Sequence, residues 1–162
     1  MPSLKKFENL LIKYSTIGIL TVILLISSFA VYKTIPNDTG EMLSQYDEKM
    51  KEFAGTEAMA LEVFSRPENT PQEKILSEIQ DRGIYYWNDN LKLIESMNDW
   101  NLPQPLKEQN AKLKEYCELR IKSYELMYKA ISENTDKYAA EINDYNNKIE
   151  TIIKELTEKN KK

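Results

Sequence analysis

The residue types that most often carry out enzymatic chemistry are scarce in this chain. It contains no histidine and one cysteine, Cys117, among 162 residues. Zinc sites of the Cys/His type, c-type haem attachment, Cys–His nucleophilic pairs and internal disulfides all need more of these residues. The 26 acidic side chains could pair with one another, but the Glu-x-x-His motif of di-iron bundles cannot form without histidine. The sequence therefore predicts no enzyme, no metal site and no cofactor.

The side chains best suited to contact another molecule are aromatic. Tyr85, Tyr86 and Trp87 are consecutive, and three consecutive helical residues fan through about 200°, so they cannot all face one core. Tyr86 falls on the apolar stripe of its helix, Trp87 aligns with other apolar residues, and Tyr85 falls among charged ones. Exposed aromatic side chains are enriched at protein interfaces. Tyr85 and Trp87 are therefore candidate partner contacts, with core packing as the alternative.

Charge is divided unevenly along the chain. Residues 1–33 hold four lysines and one glutamate, a net charge of +3, whereas the whole chain carries −4. Residues 34–162 therefore carry −7. Affinity for nucleic acid comes mainly from lysine and arginine, so this acidic part of the chain argues against DNA or RNA as a partner.

The first structural element that the sequence predicts is an uncharged run of 19 residues from Tyr14 to Tyr32. As a helix this run is about 28 Å long, close to the roughly 30 Å of bilayer hydrocarbon. Three lysines precede it, so the positive-inside rule keeps the N-terminus in the cytoplasm and sends the rest outward. The alternative is a signal peptide cleaved after Ala30, which would make the domain secreted. The predicted segments are a cytoplasmic tail over residues 1–13, a transmembrane signal anchor over 14–32, a linker over 33–40 and an extracytoplasmic helical domain over 41–160.

Periodicity predicts that this domain is all-α. A first helix is expected over about Glu41–Ser65, and a second begins at Thr70, where a threonine cap, Pro71 at the first helical position and Glu73 form a capping box. Within the second helix, Gly83 is expected to allow close approach of a neighbouring helix. The apolar stripe predicted to face inward comprises Ile75, Ile79, Tyr86, Leu93, Met97 and Trp100.

The strongest pattern follows Pro105, after which the chain has no glycine or proline. Apolar residues from Cys117 to Leu156 alternate by four and three, which is the repeat of a packed coiled-coil seam. This phase continues through the weak helix formers 132–136, and therefore favours one long C-terminal helix with the first two helices packed on it as an antiparallel hairpin. The alternative is a turn near Asn134, which would give an up-down four-helix bundle.

Beyond residue 137 the apolar stripe is narrow, which suits a single partner helix, either a second copy of the chain or another protein. The predicted partner residues there are Tyr138, Ile142, Tyr145, Ile149, Ile152 and Leu156. The resulting hypothesis is a single-pass membrane protein whose extracytoplasmic domain binds helices, as a scaffold, tether or accessory subunit of a bacterial envelope assembly. Its expected partners are the lipid bilayer and a protein or second copy bound through the C-terminal helix. The alternative is a secreted helical bundle that binds a small ligand in its interior.

Overall fold

The computed structural model describes residues 40–67 and 69–158, and these ranges contain helices and no strand. The all-α prediction is therefore confirmed for this part of the chain. The helices are α1 Gly40–Leu61, α2 Gln72–Glu78, α3 Tyr85–Glu95, α4 Gln104–Ser132 and α5 Ala139–Glu158. None of the helices in these ranges combines the length and the apolar character needed to cross a bilayer. The predicted tail, anchor and linker up to residue 39 lie outside the described residues.

The end of the first helix agrees with the sequence. α1 tightens into a 3₁₀ turn, Glu62–Ser65, and the chain becomes extended at Arg66, with φ −71° and ψ 143°. Proline disfavours helical geometry in the residue before it, so Pro67 explains why the helix cannot continue. The predicted boundary at Ser65 is confirmed.

The second helix begins where expected, but the predicted capping box is wrong. Pro71 is extended and occupies the cap position of α2, and no side chain hydrogen-bonds to the free N–H groups there. Thr70 therefore lies one residue too far from the helix to cap it. Its hydroxyl donates instead to the carbonyl oxygen of Pro67 at 2.7 Å and closes the preceding turn.

A π-helical turn, Ile79–Ile84, joins α2 to α3 without a break. Gly83 lies in this turn against the ring of Tyr124 on α4, and a Cβ at Gly83 would overlap that ring. The close approach expected at Gly83 is therefore present. Hydrogen bonds of the π type enclose one more residue than those of an α-helix, so the turn shifts the inward face of α3 by one position. Trp87 is buried in place of the predicted Tyr86.

The prediction of a single long C-terminal helix is wrong, because α4 ends at Ser132. Asn134 adopts a left-handed conformation with φ 48°. The N–H of Thr135 donates to the carbonyl of Ala130 at 3.0 Å, and the N–H of Asn134 donates to that of Ile131 at 3.2 Å. These two bonds form a Schellman motif, the usual way in which a helix ends at a left-handed residue. The chain then returns as α5.

The helices alternate in direction, so the predicted alternative, an up-down arrangement of four helical rods, is the one present. α2, the π turn and α3 form one rod, antiparallel to α1, as the hydrogen bond from Asn90 to Phe53 and the ion pair of Arg82 with Glu62 require. α4 runs antiparallel to α3, and α5 packs back along α4. α1 and α4 run parallel and are joined by tyrosine hydroxyls: Tyr46 bonds to Asn110, Tyr116 to Glu57 and Tyr124 to Ala60. α4 therefore contacts every other rod.

Candidate functional site

The predicted partner residues differ widely in exposure. Tyr85 is 55% exposed, whereas Trp87 is fully buried among the rings of Tyr116 and Tyr124. Of the predicted residues at the C-terminal end, Tyr138 and Tyr145 are partly buried, and the others, Ile142, Ile149, Ile152 and Leu156, are buried. The turn at Asn134 causes this burial, because it folds α5 back onto α4. The apolar face that the sequence offers to a partner thus contacts the chain's own helix.

Tyr85 is the large hydrophobic side chain that the described residues leave exposed. It is the first residue of α3, directly after the π turn. Its ring meets that of Tyr86 edge to face, with 5.3 Å between ring centroids and 76° between planes. Tyr86 is only partly buried, so the two rings form a continuous aromatic surface on the outside of the bundle.

A groove of about 350 Å³ between α1 and α3 continues this surface. Its lining consists of Lys49, Glu52 and Thr56 from α1 and Tyr86, Asp89, Asn90, Lys92 and Leu93 from α3. Because Tyr86 contacts both the groove and the Tyr85 ring, the exposed aromatic surface and the groove form a single site. We call it the Tyr85 groove.

The charged side chains of the Tyr85 groove pair within their own helices. Lys49 Nζ lies 2.8 Å from Glu52 Oε2, and Lys92 Nζ lies 3.3 Å from Asp89 Oδ1. Both pairs are solvent-exposed, and such pairs typically contribute about 0–1 kcal/mol. The charges of the groove therefore balance one another, and they can exchange partners on binding at small cost.

Asn90 lies in the lining of the groove and is completely buried. Its amide nitrogen donates to the Phe53 carbonyl at 3.1 Å, which ties α3 to α1 and fixes the orientation of the amide. The amide oxygen has no donor within the described part of the chain.

A second feature, the Glu57 cluster, is defined by Glu57, Trp87, Tyr116 and Arg120, and all four are buried. The Tyr116 hydroxyl donates to Glu57 Oε1 at 2.5 Å. The Arg120 guanidinium carbon lies 5.1 Å from the centroid of the Tyr116 ring and 5.5 Å from that of the Trp87 ring. These separations are those of cation–π contacts. α1, α3 and α4 therefore each contribute to one polar cluster inside the bundle.

Burial controls the protonation of this cluster. It raises the pKa of Glu57 to about 7, although the hydrogen bond from Tyr116 and the charge of Arg120 both lower it. Burial also raises the pKa of Tyr116 and of the Cys117 thiol, so both stay protonated at neutral pH. A protonated thiol is a poor nucleophile.

Sequence reasoning missed Glu57 and Arg120, although a signal for each exists. Glu57 occupies a position in the apolar stripe of α1, four residues after Phe53 and three before Ala60. Arg120 lies one helical turn from Tyr116 on one side and Tyr124 on the other. A charged residue at an apolar stripe position, or one turn from two aromatic residues, is a recognisable candidate for a buried charge.

The described residues contain no group of three or more cysteine, aspartate or glutamate side chains that could hold a metal ion. No family model, curated protein or solved structure matches this chain.

Proposed function

We propose that the chain is a membrane-anchored protein whose helical domain binds a protein partner outside the cytoplasm through the Tyr85 groove. In this role it is a scaffold, tether or accessory subunit of an envelope assembly. The observation that carries the proposal is the exposed ring of Tyr85 beside a groove with a charged rim. Protein interfaces commonly combine an aromatic centre with a polar rim, and tyrosine is enriched among the residues that contribute most to binding.

The anchor is supported by the uncharged run of residues 14–32. α1 begins at Gly40, eight positions after Tyr32, and a chain of that length spans at most about 28 Å when fully extended. Along α1 the groove lies about 14 to 24 Å from Gly40, between Lys49 and Thr56. A partner bound there would lie close to the same membrane and would be a membrane protein or a protein at its surface.

Ligand binding in the bundle interior has less support. Trp87, Tyr116 and Tyr124 are fully buried at the centre of the bundle. The centroid of the Trp87 ring lies 5.2 Å from that of Tyr116 and 6.4 Å from that of Tyr124. Rings at these distances are in contact, so they occupy the space that a small ligand would need. The interior therefore favours a packed core, and the outer groove is the better binding site.

Photo-crosslinking in native membranes tests the proposed surface. The full chain would carry benzoylphenylalanine at position 85, and a matched variant would carry it at Glu150, which is exposed on α5. We expect a discrete adduct from position 85 that the additional substitution Asp89→Arg weakens and that position 150 does not give. Failure to crosslink from position 85, or the same adducts from both positions, would contradict binding at the groove.

Carbonate extraction of the same membranes tests the anchor separately. The full chain should stay in the membrane pellet, and N-terminal sequencing should find residues 1–30 still attached. Recovery of an intact chain in the carbonate supernatant would rule out the anchor. Recovery of a chain that starts after Ala30 would favour the secreted alternative.

A further inference from the structure

Arg120 is a buried cation with incomplete hydrogen bonding. It is 3% exposed, and its Nε and Nη2 groups have no acceptor within the described residues. No carboxylate of these residues lies at ion-pair distance from it. A guanidinium stays protonated at any physiological pH, and a buried charge without acceptors is costly. An acceptor that reaches it in a second state of the cluster would remove this cost.

Glu57 carries the carboxyl group whose charge acts on the Arg120 guanidinium. Its carboxyl accepts the Tyr116 hydroxyl, and that hydroxyl also interacts with the Arg120 guanidinium. Tyr116 and Arg120 are four residues apart on one face of α4. In the structure the Glu57 carboxyl is bonded to the phenol and forms no ion pair with the Arg120 guanidinium, so the two groups are linked only through the Tyr116 hydroxyl. An ionised carboxylate in the same low-dielectric surroundings would be drawn to the cation.

We propose that Glu57 is a proton-operated switch inside the bundle. With its proton in place, the Glu57 carboxyl is held by Tyr116, as in the structure described. When the carboxyl O–H bond breaks, the proton passes to water. The carboxylate then leaves the Tyr116 hydroxyl and accepts hydrogen bonds from Nε and Nη2 of Arg120. The cluster thereby exchanges a phenol–carboxyl hydrogen bond for an ion pair.

The groups around Glu57 allow it to titrate alone. Within the described residues, Tyr116 and Arg120 act on the Glu57 carboxyl, and its charge acts in turn on Cys117 and Tyr124. All four groups lie on α4. Burial raises the pKa of both tyrosines and of the thiol, so they keep their protons near neutral pH. Burial brings the pKa of Glu57 to about 7. The carboxyl of Glu57 is therefore the group that changes charge in the physiological range.

The switch would act on α1 and on the side chain of Trp87. Arg120 lies over the Trp87 ring, and an ion pair with Glu57 would draw the guanidinium away from it. Glu57 also follows Thr56, which lines the Tyr85 groove. A change in the packing of α1 would thus reach the groove, a consequence that rests on the proposed function.

Trp87 fluorescence tests the switch in the full chain in detergent micelles. Trp100→Phe removes the other tryptophan of the chain and leaves Trp87 as the sole reporter. Between pH 4 and 9 we expect its emission to change once, with a midpoint between 4.5, the value of an exposed glutamate, and about 7, because burial raises the pKa and the new ion pair lowers it. The change should be lost in Glu57→Gln and kept in Glu150→Gln, which removes an exposed acid from α5. Emission that stays flat, or a transition that persists in Glu57→Gln, would overturn the proposal.

NMR of the unsubstituted chain covers the case in which Glu57→Gln does not fold. The side-chain carboxyl carbon of Glu57 should titrate with a midpoint between 4.5 and about 7, and the Nε–H resonance of Arg120 should shift with the same midpoint. Titration of Glu57 while that resonance stays unchanged would overturn the exchange of partners. Neither measurement needs a binding partner, so failure here is distinguishable from failure of the crosslinking that tests the groove.

Discussion

The two interfaces of α4 are built from different kinds of side chain. Toward α1 and α3, α4 presents large aromatic and polar residues, with Tyr116, Arg120 and Tyr124 packed around Trp87. Toward α5 the contact is chiefly aliphatic, and the buried residues that α5 contributes to the core are Ile142, Ile149, Ile152, Ile153 and Leu156. The first interface joins three helices through specific hydrogen bonds. The second joins two helices through an apolar seam with one buried polar contact, between Ser123 and Asn146.

This difference explains why the two interfaces differ in how readily they can be predicted. A heptad seam specifies that an apolar helix will be covered, but not which helix covers it. The α5 seam is therefore compatible with a second copy, a foreign helix or α4. A cluster of interlocking rings and hydrogen bonds has far fewer alternative partners. We expect the α1–α3–α4 interface to contribute more to the stability of the bundle than the α4–α5 interface.

Alanine at one buried position of each interface tests this ranking. Trp87→Ala should lower the free energy of unfolding by about 4 kcal/mol, because a large ring leaves a cavity that neighbours from three helices cannot fill. Ile149→Ala, also at a fully buried position, should cost about 2 kcal/mol, because a seam between two helices can close over a smaller loss. Urea unfolding of the full chain in micelles, followed by circular dichroism, measures both.

Two other outcomes would contradict the expected ranking of the two interfaces. Equal losses in Trp87→Ala and Ile149→Ala would show that α5 is as integral to the bundle as α3. A loss of helix confined to α5 in Ile149→Ala, seen as faster amide exchange from Ala139 to Glu158, would show that α5 unfolds as a separate unit.

The pH dependence of stability tests the α1–α3–α4 interface, which contains the buried carboxyl of Glu57. Folding raises the pKa of Glu57 to about 7 from the 4.5 of an exposed glutamate. Between these values the folded chain keeps a proton that the unfolded chain releases, so the free energy of unfolding falls as pH rises from about 4.5 to 7. The total contribution is about 3 kcal/mol. Thermal unfolding at a series of pH values should show this decline and its levelling above pH 7.

Glu57→Gln supplies the control for that series, since a neutral amide of the same shape cannot release a proton. Its stability should lack this component of the decline, so the difference between the two chains should grow as pH rises and reach a plateau above pH 7. Two chains that change in parallel across the range would show that Glu57 does not bind its proton more tightly in the folded state.

The sequence predicted the helix boundaries that proline sets better than it predicted the rotation of the helices. Pro67 and Pro71 mark real boundaries, because proline acts locally on the backbone. The inward face of α3 could not be placed, since a π turn has no sequence signature comparable to a proline. Because that turn contains one extra residue, Trp87 faces the core where Tyr86 was predicted to do so. Tyr85 could be identified as exposed, because it lies among charged residues whether Tyr86 or Trp87 faces the core.

The sequence marks Glu57 and Arg120 as candidates for buried charges, but it does not show what they contact. Glu57 interrupts an apolar stripe, and by pattern alone such an acid is as consistent with a solvated edge as with burial. Its burial depends on Tyr116 and Arg120, 59 and 63 positions further along the chain. Long-range pairing of this kind is set by how helices pack and not by local periodicity. The Tyr85 groove could not be predicted for the same reason, because it forms only when α1 and α3 pack side by side.

The turn at Asn134 determines which interface α5 makes, and substitutions there have the smallest expected effect. The left-handed φ of 48° costs most residues about 1–2 kcal/mol, while glycine adopts it freely and asparagine at reduced cost. Asn134→Ala should therefore lower the free energy of unfolding by about 1 kcal/mol, and Asn134→Gly should leave it within about 0.5 kcal/mol. Thermal unfolding of the two variants provides the measurement. If Asn134→Ala instead leaves stability unchanged and the chain becomes a dimer on sedimentation, α4 and α5 have joined into the single helix that the heptad phase predicts, and the α5 seam has found a second copy in place of α4.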